Sequence, residues 1–85
     1  MMDIREGMYA ATCKAFVVHT KDGEPMIVPA RTVVYVKQYN HILDMFFCDY
    51  IDEGRRATCD FPESDLLPMS ASDISDDVKK ALEGR

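Results

Sequence analysis

Short runs of β-branched and aromatic residues, each cut off by a turn-forming cluster, recur along this chain and constrain its fold more than any other feature. Residues 31–37 hold Val33, Val34, Tyr35 and Val36, and residues 42–51 hold Ile42, Leu43, Met45, Phe46, Phe47, Tyr50 and Ile51. Such runs favour strands, because branched and aromatic side chains pack well on a pleated surface. The intervening clusters Lys21-Asp22-Gly23, Gln38-Tyr39-Asn40-His41 and Asp52-Glu53-Gly54 carry the Gly, Asn and Asp that tight turns need. Successive strands should therefore return on one another in an antiparallel, mainly β domain.

Registers follow from the alternation. In residues 8–18 the odd positions Tyr9, Ala11, Cys13, Ala15 and Val17 are all apolar, which predicts one half-buried strand with that set inward. If Thr20-Lys21-Asp22-Gly23 is a type I turn with a bulge, Val17 falls opposite Ile27. Pro25 and Pro29 cannot donate to a ladder, so the returning arm should be an edge or an irregular loop. At the turn Asp52-Glu53-Gly54, a three-residue loop pairs Ile51 with Arg55, Phe47 with Cys59 and Met45 with Phe61. That register collects Leu43, Met45, Phe47, Cys59 and Phe61 on one face. A two-residue turn would set Cys48 opposite Cys59 and require a positive φ at Glu53, which glutamate disfavours. The first register is the expectation.

After Phe61, Pro62 suits the first position of a single helical turn, and residues 66–69 supply a last short strand. Ser70-Ala71-Ser72 reads as a hinge. Beyond it Ile74, Val78, Ala81 and Leu82 lie at helical spacing, with Asp73, Asp76 and Asp77 at the N-terminal end and Lys79-Lys80 later. Ser72 or Ser75 can cap that helix. The expected organisation is a small β-barrel over residues 1–69, then a hinge and C-terminal amphipathic helix over 70–85.

Only 85 residues are available, enough for one domain with little apolar surface to spare for a deep cavity. The net charge of −5 is uneven: residues 41–85 hold eleven acids against five bases, whereas 1–40 are nearly balanced. An acidic field weakens attraction to a phosphate backbone and favours basic surfaces. Cys13, Cys48 and Cys59 are far apart, and His19 and His41 stand alone, so no zinc-type ligand spacing exists. Reduced, structural thiols are the expectation, as is a cytoplasmic location. The first residues lack the apolar core of a signal peptide, and no run approaches membrane-spanning length.

The element order, with Val33-Val34-Tyr35-Val36, Asp52-Glu53-Gly54 and Phe61-Pro62-Glu63-Ser64-Asp65-Leu66, resembles small Src-homology-3 (SH3)-like barrels of phage and mobile-element type. The resemblance covers roughly Tyr9 to Met69. It implies a small antiparallel SH3-like barrel, and a role as regulator or inhibitor of a host protein. The chain departs from peptide-binding members in having no tryptophan; Ile42 or Leu43 stands where that anchor would be. Proline-rich ligands need aromatic ridges, so that mode is not expected.

No residue pattern points to an enzyme, a cofactor or a metal. The reading is a small acidic module for a protein partner, with Ile74, Val78 and Leu82 as an apolar contact stripe and Asp76 and Asp77 beside it. A free stripe of this kind also suits a homodimer through the helix. The alternative is nucleic-acid binding through Arg55 and Arg56 with nearby aromatics, against which Asp49, Asp52, Glu53 and Asp60 act.

Overall fold

A computed structural model describes residues 4–19, 22–52 and 54–83. Seven strands form: β1 (Tyr9–Thr12), β2 (Phe16–His19), β3 (Pro25–Val28), β4 (Val33–Asn40), β5 (Met45–Asp52), β6 (Arg55–Phe61) and β7 (Leu66–Met69). A 3-10 turn, Glu63–Asp65, joins β6 to β7, and a second, Ala71–Asp73, precedes the helix α1 (Asp76–Glu83). Five strands make one antiparallel sheet in the order β6-β5-β4-β1-β7, while β2 and β3 pair as a separate hairpin.

The sheet has two buried faces. Ala10, Val34, Val36, Phe46, Cys48, Tyr50, Phe61 and Leu66 fill the first, where Phe16 and Val18 of the hairpin cover them together with Val28. Tyr9, Ile74 and Leu82 form the second core, with Val33, Tyr35, Ile51, Met69 and Val78 packed against it. Burial on both faces explains the unbroken apolar run Val33-Val34-Tyr35-Val36, whose members point alternately into the two cores. It also corrects the expected closed barrel. Among the described residues no ladder joins β6 to β7, which remain the two edges of an open sheet. A barrel has a single interior; this sheet has one on each side.

The first strand is shorter and differently phased than its alternation suggests. Ala10 and Thr12 are fully buried, Cys13 to Ala15 bend out into solvent, and Phe16 and Val18 turn inward again. Of the expected inward set, Tyr9 alone is buried, and under α1 on the other face. The bend resets the phase, and Phe16 offers far more apolar area than Ala15. Thr12 is satisfied where it lies: its hydroxyl donates to the Pro29 carbonyl at 3.2 Å and accepts from the Thr32 N–H at 3.0 Å. The pairing of Val17 with Ile27 is as expected, but both side chains face solvent.

The β5–β6 register is the one the turn chemistry argued against. Asp52 pairs with Arg55, Cys48 with Cys59 and Phe46 with Phe61. Gly54 takes φ 80°, and Glu53 lies outside the described residues. This register buries Phe46, Cys48 and Tyr50 with Phe61; the three-residue alternative would face Met45, Phe47 and Asp49 into the main core instead. Burying a large side chain is worth about 1.5–3 kcal/mol, more than a turn preference. Both opposed thiols are free. The β4–β5 connection also shifts: β4 runs through a bulge at Lys37 to Asn40. The Asn40 side-chain oxygen then accepts from the Ile42 and Leu43 N–H groups, at 3.0 and 3.2 Å, to hold the turn.

The C-terminal segment is an ordered connection rather than an open hinge. Ser70 Oγ accepts from the Ser72 N–H, Ile74 is extended, and Ser75 caps α1 by accepting from the Val78 N–H at 3.4 Å. The helix is therefore eight residues long, and its stripe packs on the chain's own sheet.

Candidate functional site: a polar pocket and an apolar hairpin face

Strand alternation puts Tyr9, Tyr35 and Asp49 side by side on the second sheet face, through the pairings Tyr9 with Tyr35 and Tyr35 with Asp49. Beyond the last residue that α1 shields, this row opens into a cavity of about 610 Å³. Its lining includes Tyr9, Tyr35, Lys37, Asp49, Arg56 and Glu83. Plain alternation from Tyr35 keeps Lys37 on the same face, just before the register shifts. Arg56, opposite Ile51, comes to it from β6.

Asp49 is 2 % exposed. Lys37 Nζ lies 3.9 Å from its Oδ2, a loose ion pair, and 6.0 Å from the Phe47 ring centroid. Oδ1 of Asp49 has no hydrogen-bond partner among the described residues. Buried polar groups are almost always paired, and an orphan costs about 1–3 kcal/mol. Across the cavity the Tyr9 hydroxyl donates to Glu83 Oε2 at 2.9 Å, with its ring 5.3 Å from that of Tyr35. Among the described residues the lining holds no serine, cysteine or histidine, and no cluster of His, Cys, Asp and Glu is placed to hold a metal.

The second feature is the outer face of the β2–β3 hairpin. Its inner face is anchored by Phe16, edge-on to Phe61 at 4.8 Å, and by buried Val28. Its outer face carries Val17, 61 % exposed, directly opposite Ile27, 67 % exposed. Both strands are edges, each with one backbone side unpaired by any other described strand.

The residues that the sequence singled out are dispersed. Ile74 and Leu82 are buried against the chain's own sheet, so neither is free for a partner. Val78 is half-buried beside an apolar groove that Val33, Ile51 and Ala81 also line. Asp76 and Asp77 are exposed, with Asp76 paired to Lys79 at 3.4 Å. Arg55 and Arg56, adjacent on β6, point to opposite faces and do not form a joint basic patch. Asp49 and Lys37 went unnoticed as a pair. The available signal was a carboxylate, Asp49, set inside the otherwise apolar run from Met45 to Ile51.

Burial pushes the Cys48 thiol up to about 12 from an ordinary 9.0. Burial, reinforced by the hydrogen bond to Glu83, likewise raises Tyr9 from 10.0 to about 12. The folded state thus keeps both protons to higher pH than the unfolded chain. Their contribution to stability is complete below about pH 9 and is lost as pH rises towards 12. Chemical-denaturation midpoints should hold steady near neutrality and fall across that window. Cys48→Ala should flatten the lower part of the fall; a flat profile for the native chain would contradict the burial.

No family model, curated protein or solved structure matches this chain. No helix among the described residues is long and apolar enough to cross a membrane.

Proposed function

We propose that the chain is a small acidic protein-interaction module of SH3-like layout, and that it engages its partner through the outer face of the β2–β3 hairpin. The element order supports the layout: strand, long hairpin, three antiparallel strands, a 3-10 turn and a closing strand beside the first. The Val17–Ile27 pair carries the functional reading. Other large apolar residues are exposed as well, Tyr39 and Leu67 on strands and Ile42 and Leu43 in the β4–β5 turn, but Val17 and Ile27 are aliphatic side chains paired directly across a ladder in solvent. They lie on a hairpin with unpaired edges, the arrangement that strand-adding and apolar contacts both use. The net charge of −5, carried by residues 41–85, favours encounter with a partner that has a basic surface.

Covering both side chains is worth about 1.5–3 kcal/mol each. The double variant Val17→Asp, Ile27→Asp should therefore lose partner capture by the tagged full chain at least tenfold. Its melting temperature should stay close to that of the native chain, because neither residue supports the core. Equal capture by native chain and variant would place the contact elsewhere and overturn the reading.

A further inference from the structure

The Asp49 pocket is separate from the hairpin face and calls for its own ligand. Asp49 Oδ1 is buried and lacks a donor among the described residues. At the rim Lys37 is half-exposed and only loosely paired, while Arg56 makes no ion pair among the described residues. Among the lining residues Lys37 and Arg56 are cationic and Asp49 is a buried carboxylate. A lone cation entering here would meet two positive side chains, and a lone anion would meet the Asp49 carboxylate. A ligand that carries both signs close together meets neither penalty. We propose that this pocket binds a small zwitterion of the α-amino-acid class, its ammonium group on the Asp49 carboxylate and its carboxylate on Arg56 and Lys37.

Each half of the match rests on ordinary chemistry. An ammonium group offers three donors, so it can satisfy Oδ1 and neutralise the buried charge together. Guanidinium–carboxylate pairs form parallel charge-assisted bonds. Lys37 has the long, exposed stem needed to swing from Asp49 to the ligand's carboxylate. The cavity, at about 610 Å³, is within the range of small-molecule sites. The Tyr35 ring and Leu82 leave one wall apolar for a ligand's side chain.

The test is an amide chemical-shift titration of the full chain with L-alanine, L-alaninamide, N-acetyl-L-alanine, guanidinium and inorganic phosphate at constant ionic strength. L-alanine should shift the Tyr35, Lys37, Asp49 and Arg56 amides saturably, and each blocked analogue should bind at least tenfold more weakly. Asp49→Asn should lose L-alanine binding at least tenfold while its spectrum stays dispersed. Should that variant not fold, Arg56→Gln, at an exposed rim position, gives the same comparison. The hairpin double variant should bind L-alanine as the native chain does, which separates this proposal from the preceding one. Blocked analogues binding as well as L-alanine would overturn it. So would shifts from guanidinium or phosphate alone, unchanged binding by Asp49→Asn and Arg56→Gln, or no pocket shifts at all.

Discussion

Leu82→Asp should unfold most of the chain's stability with a single side chain. Leu82 is 1 % exposed and joins Tyr9 and Ile74 in the second core. Truncating a buried leucine to alanine alone costs about 2–5 kcal/mol, and aspartate adds the cost of taking a charge out of water. The whole stability of a domain this size is about 4–13 kcal/mol, at about 0.05–0.15 kcal/mol per residue. The helix has no independent means of survival, because eight residues are too few to hold helical structure in water without tertiary packing. Thermal melts followed by circular dichroism should show a drop of at least 15 °C, given about 4–8 °C per kcal/mol. A melt within a few degrees of the native chain would show that α1 is not docked as described.

Phe61→Ala should be comparably damaging, from the opposite side of the sheet. Its ring is fully buried, edge-on to Phe16 at 4.8 Å and to Tyr50 at 6.4 Å, so it ties the separate hairpin to the main sheet. Phenylalanine-to-alanine changes in cores cost about 3–5 kcal/mol. The hairpin has no other strand to lean on, so its amides should lose protection from exchange before those of β4 and β5. Uniform loss of protection across all strands would mean that the hairpin is held by something other than Phe61.

These two variants also show what the sequence could and could not reveal. The helical pair Val78 and Leu82 was plain from spacing, but Ile74 proves to be extended ahead of the helix, and spacing cannot say what covers any of them. The first hairpin register was legible because Gly23 fixes the turn and leaves Val17 opposite Ile27. The second was not. Local turn preference and face burial pointed in opposite directions at Asp52-Glu53-Gly54, and burial of Phe46, Cys48 and Tyr50 prevailed. The strand from residue 8 misled for a related reason. Alanine and threonine say little about which face is inward, and a three-residue bend resets the phase before Phe16. The pocket was the least legible feature of all. Its groups come from β1, β4, β5, β6 and α1, five elements that no local pattern brings together.

The role assigned to the hairpin can be read most directly from amide hydrogen exchange on the full chain, alone and with its captured partner bound. Slower exchange in the bound state should be concentrated at Val17, Val18, Met26 and Ile27, with Asp76–Glu83 little changed because that helix is already docked on its own sheet. Slowing confined to Asp76–Glu83, with the hairpin exchanging as it does in the free chain, would contradict the hairpin as the contact surface.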